Sequence, residues 1–296
     1  MPYFGIFDEQ ERETCSEYLK NNFLSILLDN KNFPFDIKSS ITETFEKIEE
    51  ELLNQNKGKS KEEKNQSGSC VLVCIINGNK IYIANIGDNG TIMSINGGTK
   101  VKQLTIDHKP NDINEYEIII KHGAKVYVDD NYQEDEQGKY YVSKFKYFLK
   151  KRRNFKKYDK QKEIIYRHYP SNLANMRSIG DLKANYKEYV GLKRNIIVVP
   201  EIFVGDYSHT DDFIIIGCDG IYDDLSNEEI IIAGWYIFKN KAKEKNFDIN
   251  TLSKDSCNII IKYGMDLLTS DNLSCIVIGL EGLQKFLNLK KYKENK

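Results

Sequence analysis

No run in this sequence approaches the roughly 20 apolar residues of a helical membrane span, and Met1-Pro2-Tyr3-Phe4 does not read as a signal peptide. The expected location is therefore cytoplasmic or nuclear. Neither sign of charge is in excess, because 43 Lys and Arg face 44 Asp and Glu for a net charge of -1. Such a balance offers no global attraction for nucleic acid or an anionic membrane, so any recognition of phosphate has to be local. The six cysteines, Cys15, Cys70, Cys74, Cys218, Cys257 and Cys275, include no C-x-x-C pair. Most lie among apolar neighbours, which reads as free buried thiols in a reducing compartment and not as a disulfide framework or zinc site. No internal repeat is visible. A chain of 296 residues can bury a sizeable core as one domain. That domain is expected over residues 1–289, with 290–296 as a polar tail.

What the sequence does contain is an alternation of strand and helix patterns. Tyr3 to Asp8 is an apolar strand ending in a carboxylate, and Thr14 to Leu28 carries apolar residues at helical intervals. A second helix is expected from Asp36 to Leu53, where Ile37, Ile41, Phe45, Ile48 and Leu52 recur every three or four residues. Residues 56–69 turn to Lys, Glu, Asn, Ser and Gly and read as a polar loop. Cys70 to Ile76 and Lys80 to Ile86, joined by Asn77-Gly78-Asn79, read as a hairpin. Thr91 to Ile95 reads as the third strand of an antiparallel meander that turns at Asn96-Gly97-Gly98. A helix from Asn111 to Lys121 starts near Asp112 and is capped at Gly123.

Ser143 to Lys162 interleaves lysines and arginines with Phe145, Tyr147, Phe148, Phe155 and Tyr158. It reads as an exposed basic insertion, and binding of RNA or an acidic partner is the alternative. The last third offers strands at Ile196 to Val199, Phe213 to Gly217 and Leu273 to Leu280. Helices are expected at Ser226 to Lys239 and Leu252 to Leu268, with Ser226 and Glu229 forming a capping box.

Four strand edges carry an aspartate: Asp8, Asp88, Asp219 and Asp271. Each alone is an ordinary turn residue. Together they deliver several carboxylates to one rim, where mutual repulsion disfavours the cluster unless a cation neutralises it. Oxygen-only ligation with no Cys or His set nearby points to Mg²⁺ or Mn²⁺ and away from zinc. A pair of such ions suits in-line attack on a phosphate, since the metals lower the pKa of a bridging water and offset developing charge.

These residues also carry a resemblance. Y-F-G-I-F-D, I-Y-I-A-N-I-G-D-N-G, Q-L-T-I-D-H-K-P, H-G-A-K-V, L-A-N-M-R-S-I-G-D, P-E-I, I-I-I-G-C-D-G-I-Y-D-D-L-S-N-E-E and S-D-N-L-S occur in that order between Tyr3 and about Leu280. In order and wording they resemble motifs of the metal-dependent (PPM-type, type 2C) serine/threonine protein phosphatases. The resemblance implies an α+β fold, a PPM-type αββα sandwich of two antiparallel β-sheets flanked by helices, with a two-metal cleft at one edge. The implied reaction is hydrolysis of phosphoserine and phosphothreonine in a phosphoprotein substrate by a metal-bound hydroxide, without a further catalytic side chain. It implies two Mg²⁺ or Mn²⁺ ions and a weak third. From the charge balance and the lack of a long apolar run, no nucleic acid or membrane partner is expected, and the chain is expected to be a monomer.

Position by position, the resemblance makes Asp8 the bridging metal ligand and Asp219 and Asp271 ligands of the second metal. Asp88 with Asp219 matches a weaker third-metal site, and Asn272 would orient Asp271 by hydrogen bonding. Asp107, His108, Lys109 and Pro110 match a motif read as structural, with Asp107 fixing a turn. Arg177 and Asp181 match the R-S-I-G-D segment near the cleft, Arg177 either as scaffold or facing the substrate.

The sequence departs from the family in two places. Where the family reads F-D-G-H-G-G, this chain reads Phe7-Asp8-Glu9-Gln10-Glu11-Arg12. Glu9 could still ligate through its backbone carbonyl if its dihedral angles allow, or its carboxylate could become a new ligand. Gln10 cannot act as a general acid. The family's upstream segment, with a phosphate-gripping arginine and an acidic ligand, would precede Met1, so the N-terminal strands that it forms are expected to be missing. A second reading follows from these departures: a catalytically impaired pseudophosphatase that serves as a binding module for a kinase or other regulator.

Overall fold

The computed structural model describes residues 1–10, 14–57, 67–110, 112–121, 125–129, 140–141, 165–169, 174–181, 198–241, 248–267 and 271–294. The expected basic insertion at 143–162, Gly123 and residues 58–66 of the polar loop lie outside the described residues. In chain order the elements begin with β1 (Tyr3–Gln10), α1 (Thr14–Leu28), α2 (Ile37–Gln55), β2 (Gly68–Asn77), β3 (Lys80–Ile86), β4 (Gly90–Ile95), β5 (Lys100–Gln103) and α3 (Ile113–Lys121). Next come β6 (Lys125–Asp129), β7 (Tyr140–Tyr141), β8 (Ile165–Tyr169), β9 (Ile179–Gly180), β10 (Glu201–Asp206) and β11 (Asp211–Gly217). The chain ends with α4 (Asp219–Tyr222), α5 (Asn227–Lys241), α6 (Ile249–Asp266), β12 (Cys275–Gly279) and α7 (Glu281–Glu294).

Strand alternation sorts the side chains into three apolar layers. Successive residues of a strand point to opposite faces. On β1, Tyr3 and Phe7 go to one side, where Phe23 of α1 lies 6.1 Å from Phe7 and 4.9 Å from Phe45 of α2 between ring centroids. Phe4 and Ile6 go to the other side. Val71, Val73 and Ile75 of β2 join the first set, while Leu72, Cys74 and Ile76 join the second. β11 repeats the pattern, with Phe213 and Ile215 on its helix side and Ile214 and Ile216 between the sheets. Near-continuous apolar strands of this kind are what burial on both faces requires.

The sheets run β1-β2-β3-β10, with β9 pairing the start of β2, and β12-β11-β4-β5, all antiparallel. Helices α1 and α2 cover the first sheet, and α5, α6 and α7 cover the second. This is the expected αββα sandwich. A small third sheet, β7-β6-β8, is an addition to it. Among the described residues no helix is long and apolar enough to cross a membrane.

Several expectations need correction. The meander does not form: β2 and β3 pair, but β4 belongs to the other sheet. Gly87 makes the crossing, with φ at +108° and no room for a Cβ, which would lie 2.3 Å from Cys70 Sγ. Only glycine accepts both conditions. Of the strand expected at Ile196 to Val199, residues 196–197 lie outside the described residues, and the strand that is described is β10. Val198 to Pro200 are irregular, and Pro200, which lacks an N–H to donate, marks the start of pairing. The polar tail is helical as far as Glu294, because Leu283 and Leu287 anchor α7 to the core. Two of the thiols, Cys257 and Cys275, are only partly buried.

Asp212 fastens the second sheet to its helices. Ser94 Oγ donates to Asp212 Oδ2 at 2.9 Å, and the N–H groups of Gly97 and Gly98 donate to its two oxygens, each at 3.2 Å. Trp235 Nε1 of α5 then donates to Ser94 Oγ at 2.8 Å. Replacing the carboxylate leaves the buried Ser94 hydroxyl and the two partly covered N–H groups without their acceptor, at a cost of about 3 kcal/mol. Asp212→Ala is therefore expected to lower the urea midpoint without changing the slope of the transition; an unaltered midpoint would remove Asp212 from this role.

Candidate metal centre

The faces just described decide where the four strand-edge aspartates emerge. Asp8 follows Phe4 and Ile6 on the side of β1 that looks toward the second sheet, at the rim of the inter-sheet core. Asp219 directly follows Cys218, which ends the inward row Ile214, Ile216, Cys218, and its Oδ1 accepts from the Gly220 N–H at 2.8 Å. Asp88 is buried in the crossing next to Gly87, and its Oδ1 accepts from the Cys70 thiol at 3.2 Å. Asp271 precedes β12.

The orienting hydrogen bond expected of Asn272 comes from its main-chain N–H, which donates to Asp271 Oδ1 at 2.7 Å. The Asn272 carbonyl accepts from the Cys218 thiol at 3.0 Å. Gly220 leaves room for that carbonyl, since a Cβ there would lie 2.4 Å from it.

These carboxyl groups feel one another. Burial pushes Asp8 up to about 7, with the charges of Asp271 and Asp88 adding to it and the Glu9 N–H opposing. Burial pushes Asp219 up to about 8, reinforced by Asp88, Asp8, Asp271 and Asp223. Such a set suits a hard cation, because it is oxygen-only, partly desolvated and self-repelling. Among the described residues no three His, Cys, Asp or Glu side chains stand close enough together to hold a metal ion. The four would have to draw together onto an ion.

Two residues read as structural belong to the electrostatics of this cluster. Lys109 Nζ lies 2.7 Å from Asp223 Oδ1 and 3.7 Å from Asp107 Oδ2. Burial works against its charge, but Asp223, Asp88 and Asp107 outweigh burial and hold it protonated. Asp107 is pushed up to about 6 by burial, against the pull of Lys109. The signal for Asp223 is its spacing from Asp219, four residues along one helical turn. His108 acts as a clamp: its Nδ1 accepts from the Gly87 N–H at 3.1 Å, and its Nε2 faces Glu201 Oε2 of β10 at 3.4 Å.

Other expected residues stand apart from the four aspartates. Alternation turns the Glu9 side chain to the α1 side, where it lines a groove with Ser16, Glu17 and Lys20. The same groove is bordered by Ser274 and Cys275, and the Glu9 charge adds a small push to the pKa of Asp8. Arg177 donates from Nε to Glu115 of α3 at 3.0 Å, from Nη2 to the same carboxylate, and from Nη1 to the Val199 carbonyl at 2.8 Å. This is the scaffold arrangement. Asp181, with φ at +44°, accepts from Ser178 Oγ at 2.5 Å and packs against Gly68, where a Cβ would lie 2.1 Å from its carboxyl. It fixes the β9 turn.

A family model described as Protein phosphatase 2C matches residues 2–265. The chain belongs to the protein phosphatase 2C family. Among relatives, it is 26% identical over 279 residues to "Probable protein phosphatase 2C 11" of Arabidopsis thaliana, covering 94% of this chain and 58% of the relative. It is 27% identical over 240 residues to "Protein phosphatase 2C 1" of Paramecium tetraurelia, covering 77% of this chain and 66% of that protein. This member of the family thus spans under two thirds of the length of these relatives.

Solved structures agree on the fold. A C. elegans sex determining protein matches with a TM-score of 0.70 at 18% identity, covering 98% of this chain and 59% of its own. A serine-threonine phosphatase 2C from Toxoplasma gondii matches with a TM-score of 0.61 at 14% identity, covering 94% of this chain and 84% of its own.

A raised carboxyl pKa means that the folded phosphatase 2C domain binds protons more tightly than the unfolded chain, so stability falls as pH rises from the ordinary carboxylate range through about 7 and 8. Chelator-treated protein is expected to melt lower near pH 8 than at about pH 5. Added Mg²⁺ or Mn²⁺ should raise the melting temperature, and more so at the higher pH. A melting temperature indifferent to both cations at both pH values would exclude the cluster as a cation site.

Proposed function

We propose that this chain is a Mg²⁺- or Mn²⁺-dependent protein serine/threonine phosphatase acting on phosphoserine and phosphothreonine in phosphoprotein substrates. What supports it most is the placement of Asp8, Asp88, Asp219 and Asp271 at one rim, where burial and the neighbouring carboxylates push Asp8 and Asp219 upward, in a chain of this family. Asp8 would bridge two ions, with Asp219 and Asp271 holding the second, Asp88 and Asp219 a weaker third, and the Glu9 carbonyl contributing to the first site. Bound ions would polarise the phosphoryl group and offset the charge that develops on the transferring oxygens.

The chain's own residues prepare that site. The Asn272 N–H holds Asp271, and His108 holds the Gly87 main chain that presents Asp88. Lys109, kept protonated beside Asp223, lowers the repulsion that an incoming phosphate would meet among so many carboxylates. Arg177, engaged by Glu115 and Val199, positions the α3 segment instead of gripping substrate.

The Glu9-Gln10 pair, standing where the family has glycine and histidine, favours the second reading of a pseudophosphatase that binds a kinase or other regulator. Hydrolysis of a phosphothreonine peptide separates the two. The enzyme reading expects turnover that requires Mn²⁺ or Mg²⁺ and falls by about 100-fold or more in Asp219→Asn. Cation-dependent thermal stabilisation without any turnover would favour the pseudophosphatase.

A further inference from the structure

Two thiols lie outside the carboxylate cluster and take no part in it. Cys257 is on α6 and Cys275 opens β12; both join the apolar cluster under the α5–α6 layer, and both remain partly accessible. Both also line one cavity of about 790 Å³, bordered by Phe4, Ile276 and Ile278.

The fold brings them face to face. Helix α6 turns Leu252, Ser256, Ile260 and Gly264 inward as one row at four-residue spacing, and Cys257 flanks that row. On β12, alternation sends Cys275 and Val277 to the helix side and Ile276 and Ile278 between the sheets. Helix α6 packs directly on β12, so both cysteines open on the same cavity. The influence of Cys275 holds Cys257 below the ordinary thiol range, while Cys257 and burial push Cys275 well above it. In contrast, Cys15, Cys70, Cys74 and Cys218 are buried, and burial raises all four.

We propose that Cys257 and Cys275 are a redox-sensitive pair that closes to a disulfide when a hydroperoxide enters the cavity they share. This site is independent of the phosphatase reading. The Cys257 thiolate attacks the terminal oxygen of the hydroperoxide, forming an S–O bond as the O–O bond breaks, and the departing alkoxide takes up a proton to leave as alcohol. The Cys275 sulfur then attacks the sulfenic sulfur of Cys257; the S–S bond forms, the S–O bond breaks, and hydroxide leaves with the Cys275 proton as water. Two thiols and one hydroperoxide become one disulfide, one alcohol and one water. The loop so closed contains Asp271, so the bond ties α6 to the segment that carries it.

The test treats the full chain with one equivalent of hydrogen peroxide, counts free thiols and maps peptides without reduction. The expected result is a fall of two from the six thiols, a cross-link joining the peptides of Cys257 and Cys275, and a higher melting temperature that dithiothreitol reverses. Cys275→Ser should leave Cys257 as a sulfenic acid that dimedone captures, with no cross-link. Cys257→Ser should leave Cys275 reduced. A map of the wild-type protein in which these peptides stay separate, or join only between molecules, overturns the proposal, whether or not the variants fold. So does consumption of Cys275 at an unchanged rate in Cys257→Ser.

Discussion

Asp8, Asp88, Asp219 and Asp271 repel one another, and they share one rim because the packing of the two sheets fixes where the strand ends and turns that carry them emerge. Burial raises Asp8 to about 7 and Asp219 to about 8, so the fold holds acidic groups in a place where they resist ionisation. The opposing force is apolar. Ile6, Leu72, Ile214 and Ile216 are sealed between the sheets, each contributing roughly 1.5–3 kcal/mol by burial. The rim is the edge of that same layer, and its position follows from the packing beneath it.

The crossing at Gly87 links the two sheets and presents Asp88 in the same stroke. Its positive φ and the closeness of Cys70 admit no side chain, and His108 fixes its N–H from outside. Through Glu201 the same imidazole reaches β10, so the D-H-K-P and P-E-I segments meet at one residue. Lys109, next in sequence, takes up part of the excess negative charge through Asp223. Scaffold and charge balance are thus supplied by adjacent residues of one short segment.

The departure at Glu9 has a local meaning. Because β1 alternates, a substitution after Asp8 changes the face of the strand opposite Asp8, in a groove between α1 and the start of β12. The Glu9 charge still adds a little to the raised pKa of Asp8, though less than Asp271 and Asp88 do.

Much of the fold was legible in the sequence because its signals are local. The apolar runs Cys70 to Ile76 and Lys80 to Ile86 about their Asn-Gly turn, the three- or four-residue spacing of Ile37, Ile41, Phe45 and Ile48, and the Ser226–Glu229 capping box each depend on residues near one another in the chain. The four aspartates were legible for the same reason, each standing at the edge of a recognisable strand. Partnership across the chain was not. That β4 leaves β3 for β11, that Arg177 is held by Glu115, and that Lys109 stands against Asp223 are matters of which distant segments meet. The sequence by itself determined which residues favour strand, helix or turn, and which of them carry charge. Only the tertiary structure decided which charges meet and which thiols share a cavity, because Coulomb forces and hydrogen bonds depend on distance in space, and residues 275 and 257, or 223 and 109, come together only when the sheets and helices have packed.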